Sequence, residues 1–275
     1  MFAIINRVTK TTDFITNVLE DITDIANANF GQISSTVKPD DNNQVLTATD
    51  IEIGNLIVSR IKDEYPDYNI IDEEAGSIDN GSNFTWVVDP IDGTSNFAGG
   101  IHAYGTMIGL LDGGKPVAGG IALPFFKEIY VAEKGEGAYC NGNQINVSKE
   151  SKLLNSLISY GIDGYQKDSQ LTFTETKMLA KIILGIRNLR ASNSVYDIAL
   201  VASGKYGAWL NQTTKIWDNV APQIIIEEAG GIYTDFWGKP IDYSDPIKKA
   251  KDNFTCCAGS PILHGQLQAI IHSTD

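Results

Sequence analysis

Apolar residues repeat at helical spacing in two segments near the start of the chain. The first segment, which Gly31 would terminate, places on one face Ile15, Val18, Leu19, Ile22, Ile25 and Ala26. The second, which Thr49 or Asp50 would cap and which ends before Pro66, places on one face Ile53, Leu56, Ile57 and Ile61. This period predicts two amphipathic helices. The polar stretch between them, which carries Lys38, predicts a mobile loop.

The pattern changes to short apolar runs between Ala103 and Ile145. Asp112-Gly113-Gly114 and Asn141-Gly142 interrupt these runs, and such sequences favour tight hairpin turns. We therefore expect an antiparallel sheet that packs against the two helices. No flexible linker or internal repeat is visible on either side of this region.

After about residue 150, apolar strands alternate with helical segments. Leu157–Tyr160 predicts a strand, and the predicted helices are Glu175–Leu184, Val195–Ala202 and Asn219–Ala229. That alternation is typical of an α/β unit. The sequence predicts an α+β fold with two coupled lobes, an antiparallel-sheet N-terminal lobe over residues 1–150 and an α/β C-terminal lobe over residues 151–275.

Two carboxylates follow the apolar run Trp86–Val88. Pro90 cannot donate to a strand ladder, so we expect the strand to stop there, with Asp89 and Asp92 at its carboxyl end. Backbone amides from Gly93 onward are then free to face an anion. This segment predicts a site for a cation and a phosphate.

Glu73 closes a second apolar segment, and Asp218 stands where a third begins. Two carboxylates ~4 Å apart at an effective dielectric of ~20 repel by about 4 kcal/mol, so a converging cluster of Glu73, Asp89, Asp92 and Asp218 needs cations. Oxygen ligands without Cys or His favour Mg²⁺, or Mn²⁺, over zinc.

The sequence resembles the inositol monophosphatase-like family of Mg²⁺-dependent, lithium-sensitive phosphatases. Four segments carry the resemblance, namely Leu46–Asp50, Glu73-Glu74, Asp89–Phe97, and Trp217–Pro222 followed by Glu228–Gly231. They stand in the family's order, and the similarity runs from about residue 10 to residue 265. The resemblance implies a layered αβαβα sandwich of the sugar phosphatase type, a homodimer, and hydrolysis of a small phosphate monoester by water.

The resemblance also implies roles for individual residues. Two to three Mg²⁺ ions would be held by Glu73, Asp89, the carbonyl of Ile91, Asp92 and Asp218. Thr94, paired with Asp50, would act with Glu73 to orient the attacking water. The phosphate and the substrate would be contacted by Asp92, Gly93, Thr94, Asp218 and Lys38.

The alcohol half of the substrate is left open by the sequence. Inositol-preferring relatives carry a glutamate seven positions before the second-motif aspartate, and Asn211 stands there in this chain. Asn211 can bond a hydroxyl, but without a carboxylate's charge-assisted bond. Inositol monophosphate, fructose 1,6-bisphosphate, a nucleotide 3'-phosphate and NADP all remain candidate substrates.

Two other classes of protein are suggested by parts of the sequence, a non-catalytic binding module and a nucleotide-binding protein. A Mg²⁺-dependent binding module without turnover would be favoured by loss of a ligand or of Thr94, and all of these residues are present. A nucleotide P-loop is suggested by Gly109–Lys115, GLLDGGK, but Pro116 stands where Ser or Thr must bind Mg²⁺ and the context predicts a hairpin.

The composition of the chain limits the classes of molecule that it can bind. The chain has 21 basic and 34 acidic residues, hence a net charge of −13, and no basic block, which disfavours polymeric nucleic acid and anionic membranes as partners. Cys140, Cys256 and Cys257 do not form a disulfide framework. No apolar run approaches the ~18 residues of a membrane helix. We expect a cytoplasmic protein that acts on a small phosphorylated metabolite.

Overall fold

The computed structural model of the chain describes residues 9–31, 36–37 and 45–273. Its helices are α1 (Lys10–Asn29), α2 (Ala48–Glu64), α3 (Thr94–Ala98), α4 (Ser169–Leu184), α5 (Val195–Ala202), α6 (Val220–Glu228) and α7 (Pro261–Ile271). The strands before residue 150 are β1 (Thr36–Val37), β2 (Val45–Leu46), β3 (Asn69–Asp72), β4 (Gly76–Ile78), β5 (Phe84–Asp92), β6 (Gly105–Asp112), β7 (Lys115–Leu123), β8 (Glu128–Glu133), β9 (Gly137–Cys140) and β10 (Asn143–Gln144). The later strands are β11 (Leu157–Gly161), β12 (Asn188–Arg190), β13 (Ala208–Thr214), β14 (Ile232–Thr234) and β15 (Phe254–Gly259).

The two predicted amphipathic helices are confirmed, with a correction to the cap of the second. The cap of α2 is Thr47, while Asp50 is the third helical residue and accepts a bond from the Thr47 backbone amide at 2.9 Å. Thr47 in turn accepts from the Asp50 amide, which completes a capping box. This box holds the Asp50 carboxyl at the start of α2.

Most of the strands before residue 150 form one eight-stranded sheet, in the order β10-β9-β8-β7-β6-β5-β3-β4. Its neighbours pair antiparallel, except for the parallel pair β3 and β5. The predicted hairpins are present, since Gly113, Gly114, Asn141 and Gly142 adopt positive φ angles. The GLLDGGK segment lies in the β6–β7 hairpin, which contradicts the P-loop alternative.

Strand β5 does not stop at Pro90, contrary to the expectation from sequence. It continues to Asp92, and its register against β6 shifts between Asp89, which pairs with Met107, and Asp92, which pairs with Gly105. Pro90 is accommodated because it lies in this irregularity, where no ladder N–H is required, and its carbonyl accepts from Thr106 Oγ1 at 2.7 Å. The bulge redirects the chain between the two aspartates.

The strands after residue 150 form a five-stranded mixed sheet, in the order β12-β11-β13-β15-β14. Strand β11 pairs parallel with β12 and β13, and β15 pairs antiparallel with β13 and β14. Helices α5 and α6 pack between this sheet and the eight-stranded sheet, α1 and α2 cover the outer face of the larger sheet, and α4 and α7 lie outside the smaller one. The αβαβα sandwich implied by the resemblance is confirmed.

Glycines on β7 set the spacing of these layers. A Cβ at Gly119 would lie 2.8 Å from the Cα of Ala221 in α6, and a Cβ at Gly120 would lie 2.3 Å from Cγ2 of Ile15 in α1. Successive strand residues face opposite sides of a sheet, so the helical layers approach the same strand from both sides.

Among the helices of the described segments, none combines the length and the apolar character needed to span a membrane.

Substitution at this contact tests the packing. We expect Gly119→Ala to lower the free energy of unfolding by about 1–3 kcal/mol, because the added methyl group meets helix backbone that cannot rotate away. Gly265→Ala, on the exposed face of α7 where a Cβ has no neighbour within 4 Å, is the matched control and should raise stability by ~0.5–1 kcal/mol. Urea unfolding of the three proteins measures both effects. Equal loss in the two variants would contradict the close-packing explanation.

Candidate metal and phosphate site

Three carboxylates converge at the carboxyl end of β5. Asp89 and Asp92 lie on either side of the bulge, and Asp218 lies in the 3-10 turn Ile216–Asp218 that follows β13. One oxygen of each lies within 4.8 Å of the others. The eight-stranded sheet and the segment that leaves the five-stranded sheet therefore both contribute to one cluster.

Backbone amides from the C-terminal part of the chain hold two of these carboxylates in place. Val195, the first residue of α5, donates its N–H to Asp92 Oδ2. Lys215 donates its N–H to Asp218 Oδ2 at 2.6 Å. Both aspartates thus have one oxygen fixed by an amide. The contact from the start of α5 was not foreseen from sequence, since the pattern locates that helix but not the aspartate it approaches.

The electrostatics of the cluster are unfavourable without a cation. Burial raises the pKa of Asp89 well above its usual range, and the charges of Glu73, Asp92 and Asp218 raise it further. Burial and the charge of Asp218 likewise raise the pKa of Asp92, against the opposing effect of the Val195 amide. Two charges 4.8 Å apart repel by ~3–4 kcal/mol at an effective dielectric of ~20, so ionisation of all three side chains strains the fold.

The donor set fits a hard divalent cation. Asp89 is 1% exposed, and its Oδ1 has no hydrogen-bond partner in the described part of the chain. A buried carboxylate oxygen without a partner costs stability unless an ion or a proton satisfies it. The three side chains offer only oxygen ligands, which suit Mg²⁺ or Mn²⁺.

Glu73 and the pair Thr94 and Asp50 stand beside the cluster. Glu73 follows β3 directly. After burial, its charge is the largest contribution to the raised pKa of Asp89. Thr94 Oγ1 lies 3.2 Å from Asp50 Oδ1 and 2.8 Å from the carbonyl oxygen of Ile91. The contact between Thr94 and Asp50 expected from the resemblance is present. A hydroxyl has one proton, so Thr94 can donate to only one of these two acceptors at a time.

Asp50 is held in this position by the capping box of α2. Its side chain is 1% exposed, and the Thr47 amide and hydroxyl both donate to Oδ2, which leaves Oδ1 facing Thr94. Burial raises the pKa of Asp50, while the two bonds from Thr47 oppose that rise. The same cap that starts the helix therefore orients the carboxyl that meets Thr94.

Gly93 adopts a conformation that excludes other residues. Its φ is +82°, and a Cβ there would lie 2.7 Å from Cβ of Ser194 and 3.0 Å from the Ala103 carbonyl oxygen. Only glycine fits both the left-handed backbone and this close approach. The chain can then turn from β5 into α3 and bring Thr94 back toward Asp50.

A cavity of about 920 Å³ opens over the cluster. Its floor includes Glu73, Asp89, Asp92, Thr94 and Asp218. Another part of its wall is formed by the loop between β11 and α4, residues 162–168, and by the segment 191–193. Neither wall segment carried a sequence signal for function, because both are short polar loops without a motif. Lys167 and Lys215 also line the cavity.

Asn193 joins the two wall segments. Its Nδ2 donates to the Ile162 carbonyl at 3.0 Å, and its Oδ1 accepts from the Ile162 amide at 3.2 Å. Asp197 accepts from the Ser192 amide at 2.8 Å, which fixes the other end of the same segment at the start of α5. This part of the cavity wall is therefore held by paired hydrogen bonds.

Of the two residues Asn211 and Lys38, both predicted to contact the substrate, the structure describes only Asn211. Asn211 lies on β13 and lines a smaller adjoining cavity of about 110 Å³ together with Asp92 and Asp218. Its Oδ1 accepts from the Thr213 amide at 2.7 Å, so that oxygen is already engaged within the strand. Lys38 lies outside the described residues.

Comparison with known proteins identifies similar chains. The sequence model of the inositol monophosphatase family matches residues 7–272. The protein of Aquifex aeolicus named fructose-1,6-bisphosphatase/inositol-1-monophosphatase is 32% identical over 201 residues, 73% of this chain and 71% of that relative. The protein of Xylella fastidiosa named Nus factor SuhB is 30% identical over 220 residues, 79% of this chain and 78% of that relative.

A solved structure supports the same relationship. The IMPase of Thermotoga maritima superposes with a TM-score of 0.83 at 26% sequence identity, covering 96% of this chain and 97% of that one. The layered architecture described above is thus shared along nearly the whole chain.

The charge cluster predicts how stability depends on pH. Without metal, the raised pKa values of Asp89 and Asp92 mean that the folded state holds protons which the unfolded chain has already lost, so stability should fall as pH rises above about 4, the pKa of an unperturbed aspartate. Asp89→Asn should flatten this fall and be more stable by ~1–3 kcal/mol at pH 8 in chelator. Thermal melts at several pH values, with chelator and with Mg²⁺, measure this.

The exposed Asp63 of α2 supplies the control, as Asp63→Asn should leave the slope unchanged. Mg²⁺ should raise the melting temperature of the parent and not that of Asp89→Asn. A parent protein whose stability is independent of pH and of Mg²⁺ would contradict the cluster as a cation site.

Proposed function

Because the chain belongs to the inositol monophosphatase family, we propose that its acidic cavity hydrolyses a small phosphate monoester with the help of Mg²⁺. Membership of this family supports phosphatase activity on small phosphorylated molecules. The observation that carries the proposal is the convergence of Asp89, Asp92 and Asp218 within 4.8 Å, with a buried, unpartnered oxygen on Asp89. Without cations, the mutual repulsion of these carboxylates destabilises the fold. Bound cations would remove that repulsion.

The ligands that we assign to two or three Mg²⁺ ions are Glu73, Asp89, the carbonyl of Ile91, Asp92 and Asp218. When bound, the ions would lower the pKa of a water molecule and stabilise negative charge on the phosphate and the leaving oxygen. The protein already aims these ligands, since Val195 and Lys215 fix the second oxygens of Asp92 and Asp218. Pre-oriented ligands keep that charge stabilisation free of rearrangement during reaction.

Thr94 and Asp50 are proposed to orient the attacking water. When Thr94 donates its proton to Asp50 Oδ1, the lone pairs of Thr94 are left to accept a hydrogen from the water. Asp50 serves this role only as an acceptor, which the two bonds from Thr47 favour by stabilising its ionised form. Glu73 would accept the second hydrogen of the water, which places the oxygen toward the phosphorus.

The phosphate and the alcohol would be bound on opposite sides of the cluster. We assign the phosphate oxygens to the amides of Gly93 and Thr94, where the chain turns into α3, and we keep Lys38 as a candidate contact. The alcohol would face the wall of residues 162–168 and 191–193, with Asp92, Asn211 and Asp218 near its hydroxyls. Inositol monophosphate or a related sugar phosphate fits this polar surface.

Other phosphate esters of the same chemistry remain alternatives. The Aquifex relative is named for both fructose-1,6-bisphosphatase and inositol-1-monophosphatase. A nucleotide 3'-phosphate and NADP are further candidates because a cavity of about 920 Å³ has room for a larger alcohol. Lithium sensitivity, a homodimer and a cytoplasmic location stay predictions.

A phosphate-release assay tests the function. Inositol 1-phosphate, fructose 1,6-bisphosphate, 3'-phosphoadenosine 5'-phosphate and NADP should be compared with Mg²⁺, with chelator, and with millimolar Li⁺. We expect release that requires Mg²⁺ and falls with Li⁺, and we expect Asp92→Asn to keep less than about 1% of it because a ligand charge is lost. Asp63→Asn is the charge-matched control and should retain full activity.

The outcomes separate enzyme from binding module. No release from any ester, together with Mg²⁺-dependent stabilisation, would favour the module without turnover. More than a few per cent of activity in Asp92→Asn would count against the ligand assignment. A ranking led by one ester identifies the substrate class.

Asn211 provides a test of specificity. If it faces the hydroxyls of the alcohol, Asn211→Glu should raise kcat/KM for inositol 1-phosphate about fivefold relative to the other esters, since a charge-assisted bond gains ~1 kcal/mol over a neutral one. Asn211→Gln lengthens the side chain without adding charge and serves as the control. Equal losses on all esters in both variants would mean that Asn211 only supports the strand through its bond to the Thr213 amide.

A further inference from the structure

Glu175 occupies an inward position on α4 that helical periodicity assigns to an apolar residue. It shares one face of the helix with Met178, Leu179 and Ile182, which pack against the core of the C-terminal sheet. Its side chain is only 4% exposed. The helix therefore buries a carboxyl group where Leu or Met would pack without a desolvation penalty.

The carboxyl of Glu175 has few hydrogen-bond donors around it. Neither of its oxygens has a hydrogen-bond partner of normal geometry among the residues that the structure describes, and only the Tyr160 hydroxyl acts on the group as a donor. The hydroxyl of Tyr160, on the buried strand β11, faces the group and accepts a bond from Gln212 Nε2 at 2.7 Å. An ionised carboxylate in this position would lack the two or three donors that usually hold one in a protein interior.

Glu175 lies directly behind the wall of the catalytic cavity. One turn earlier on α4, Leu171 lines the cavity, and Thr172 Oγ1 accepts from the Tyr165 amide at 2.8 Å. That bond ties the wall loop 162–168 to the same helical turn. A shift of α4 that admits water to Glu175 would therefore displace both Leu171 and the tethered loop.

Burial raises the pKa of Glu175 to about 7. The titratable groups near it are Tyr160 on β11 and Asp163 and Tyr165 on the wall loop. The hydrogen bond from Tyr160 opposes the rise in the pKa of Glu175, and the charge of Asp163 adds to it. The packed helix α7 presents His264, whose Nε2 is engaged with Thr234 Oγ1 at 2.9 Å. The neutral acid suits the buried position, and the carboxylate, formed when the proton passes to solvent, does not.

We propose that Glu175 is a positioning residue whose protonation keeps α4 and the loop 162–168 closed against the cavity, so that the alcohol half of the substrate is bound less tightly as pH rises through neutrality. The sign follows from linkage, because the closed wall binds the proton more tightly than an opened wall in which Glu175 meets water. Raising the pH thus favours the opened form. Asp92 and Asp218 are held by the Val195 and Lys215 amides, not by α4, so the effect belongs to KM and not to kcat.

The expected kinetic result compares the parent with Glu175→Gln on inositol 1-phosphate at saturating Mg²⁺. Between pH 6 and 8 we expect KM of the parent to rise about five- to tenfold and that of the variant to change less than about twofold, since Gln is neutral throughout. The ratio of the two kcat values should stay constant with pH. Glu20→Gln, an exposed acid on α1, is the matched control and should follow the parent.

A second readout does not require turnover and separates this inference from the proposed phosphatase activity. Hydrogen exchange of the parent, corrected for intrinsic rates, should show protection of residues 162–178 falling at least threefold between pH 6 and 8. Glu175→Gln and Glu175→Leu should both abolish that change. This measurement also decides the matter where a variant folds poorly, because the parent alone reports the opening.

Three results would overturn the proposal. One is a parallel rise of KM in the parent and Glu175→Gln. Another is a KM offset between them that is the same at every pH, which a purely structural role would give. The third is protection of residues 162–178 in the parent that does not change with pH.

Discussion

Repulsion among one buried and two half-buried carboxylates is the constraint on which the rest of this structure depends. Asp89, Asp92 and Asp218 are brought within 4.8 Å in an environment that disfavours the ionised forms of Asp89 and Asp92. Nothing in hydrophobic packing would select such an arrangement, and it destabilises the fold when no cation is bound. The cap of α2, the bulge of β5 and the start of α5 are all arranged around this cluster, and each fixes a polar atom at its edge. Cations held by the cluster would reverse the local field, which would reconcile a chain of net charge −13 with the phosphorylated substrates on which its family acts.

Much of the architecture could be predicted from the sequence. Helical spacing located α1, α2 and α5, and the Gly-containing turns located the hairpins of the larger sheet. The segments at Glu73, Asp89–Phe97 and Trp217-Asp218 identified the family, and the structure brings Asp89, Asp92 and Asp218 together beside Glu73. These features are local, since they depend on residue type and spacing within a few positions.

Long-range geometry could not be predicted. Pro90 suggested the end of a strand, and only the pairing of β5 with β6 shows that a bulge accommodates it. The wall loop 162–168 carries no motif, and its place over the cluster depends on Asn193, about thirty residues away in the chain. The sequence pattern marked Glu175 only as the first residue of a predicted helix, because its burial results from how α4 packs in the fold. Its position breaks the apolar pattern of the helix. Such departures from simple packing rules are often found at functional positions.

The two sheets of the sandwich each bring part of the ligand set. Asp89 and Asp92 belong to the eight-stranded sheet, whereas Asp218 and the Val195 amide come from the segments around the five-stranded sheet. The complete carboxylate cluster therefore exists only when the two layers are correctly stacked, and a chain that has folded only its first sheet holds an incomplete cluster. A cation held by all three carboxylates would bind the assembled sandwich and not the partly folded chain, so its binding would report that both layers are in place.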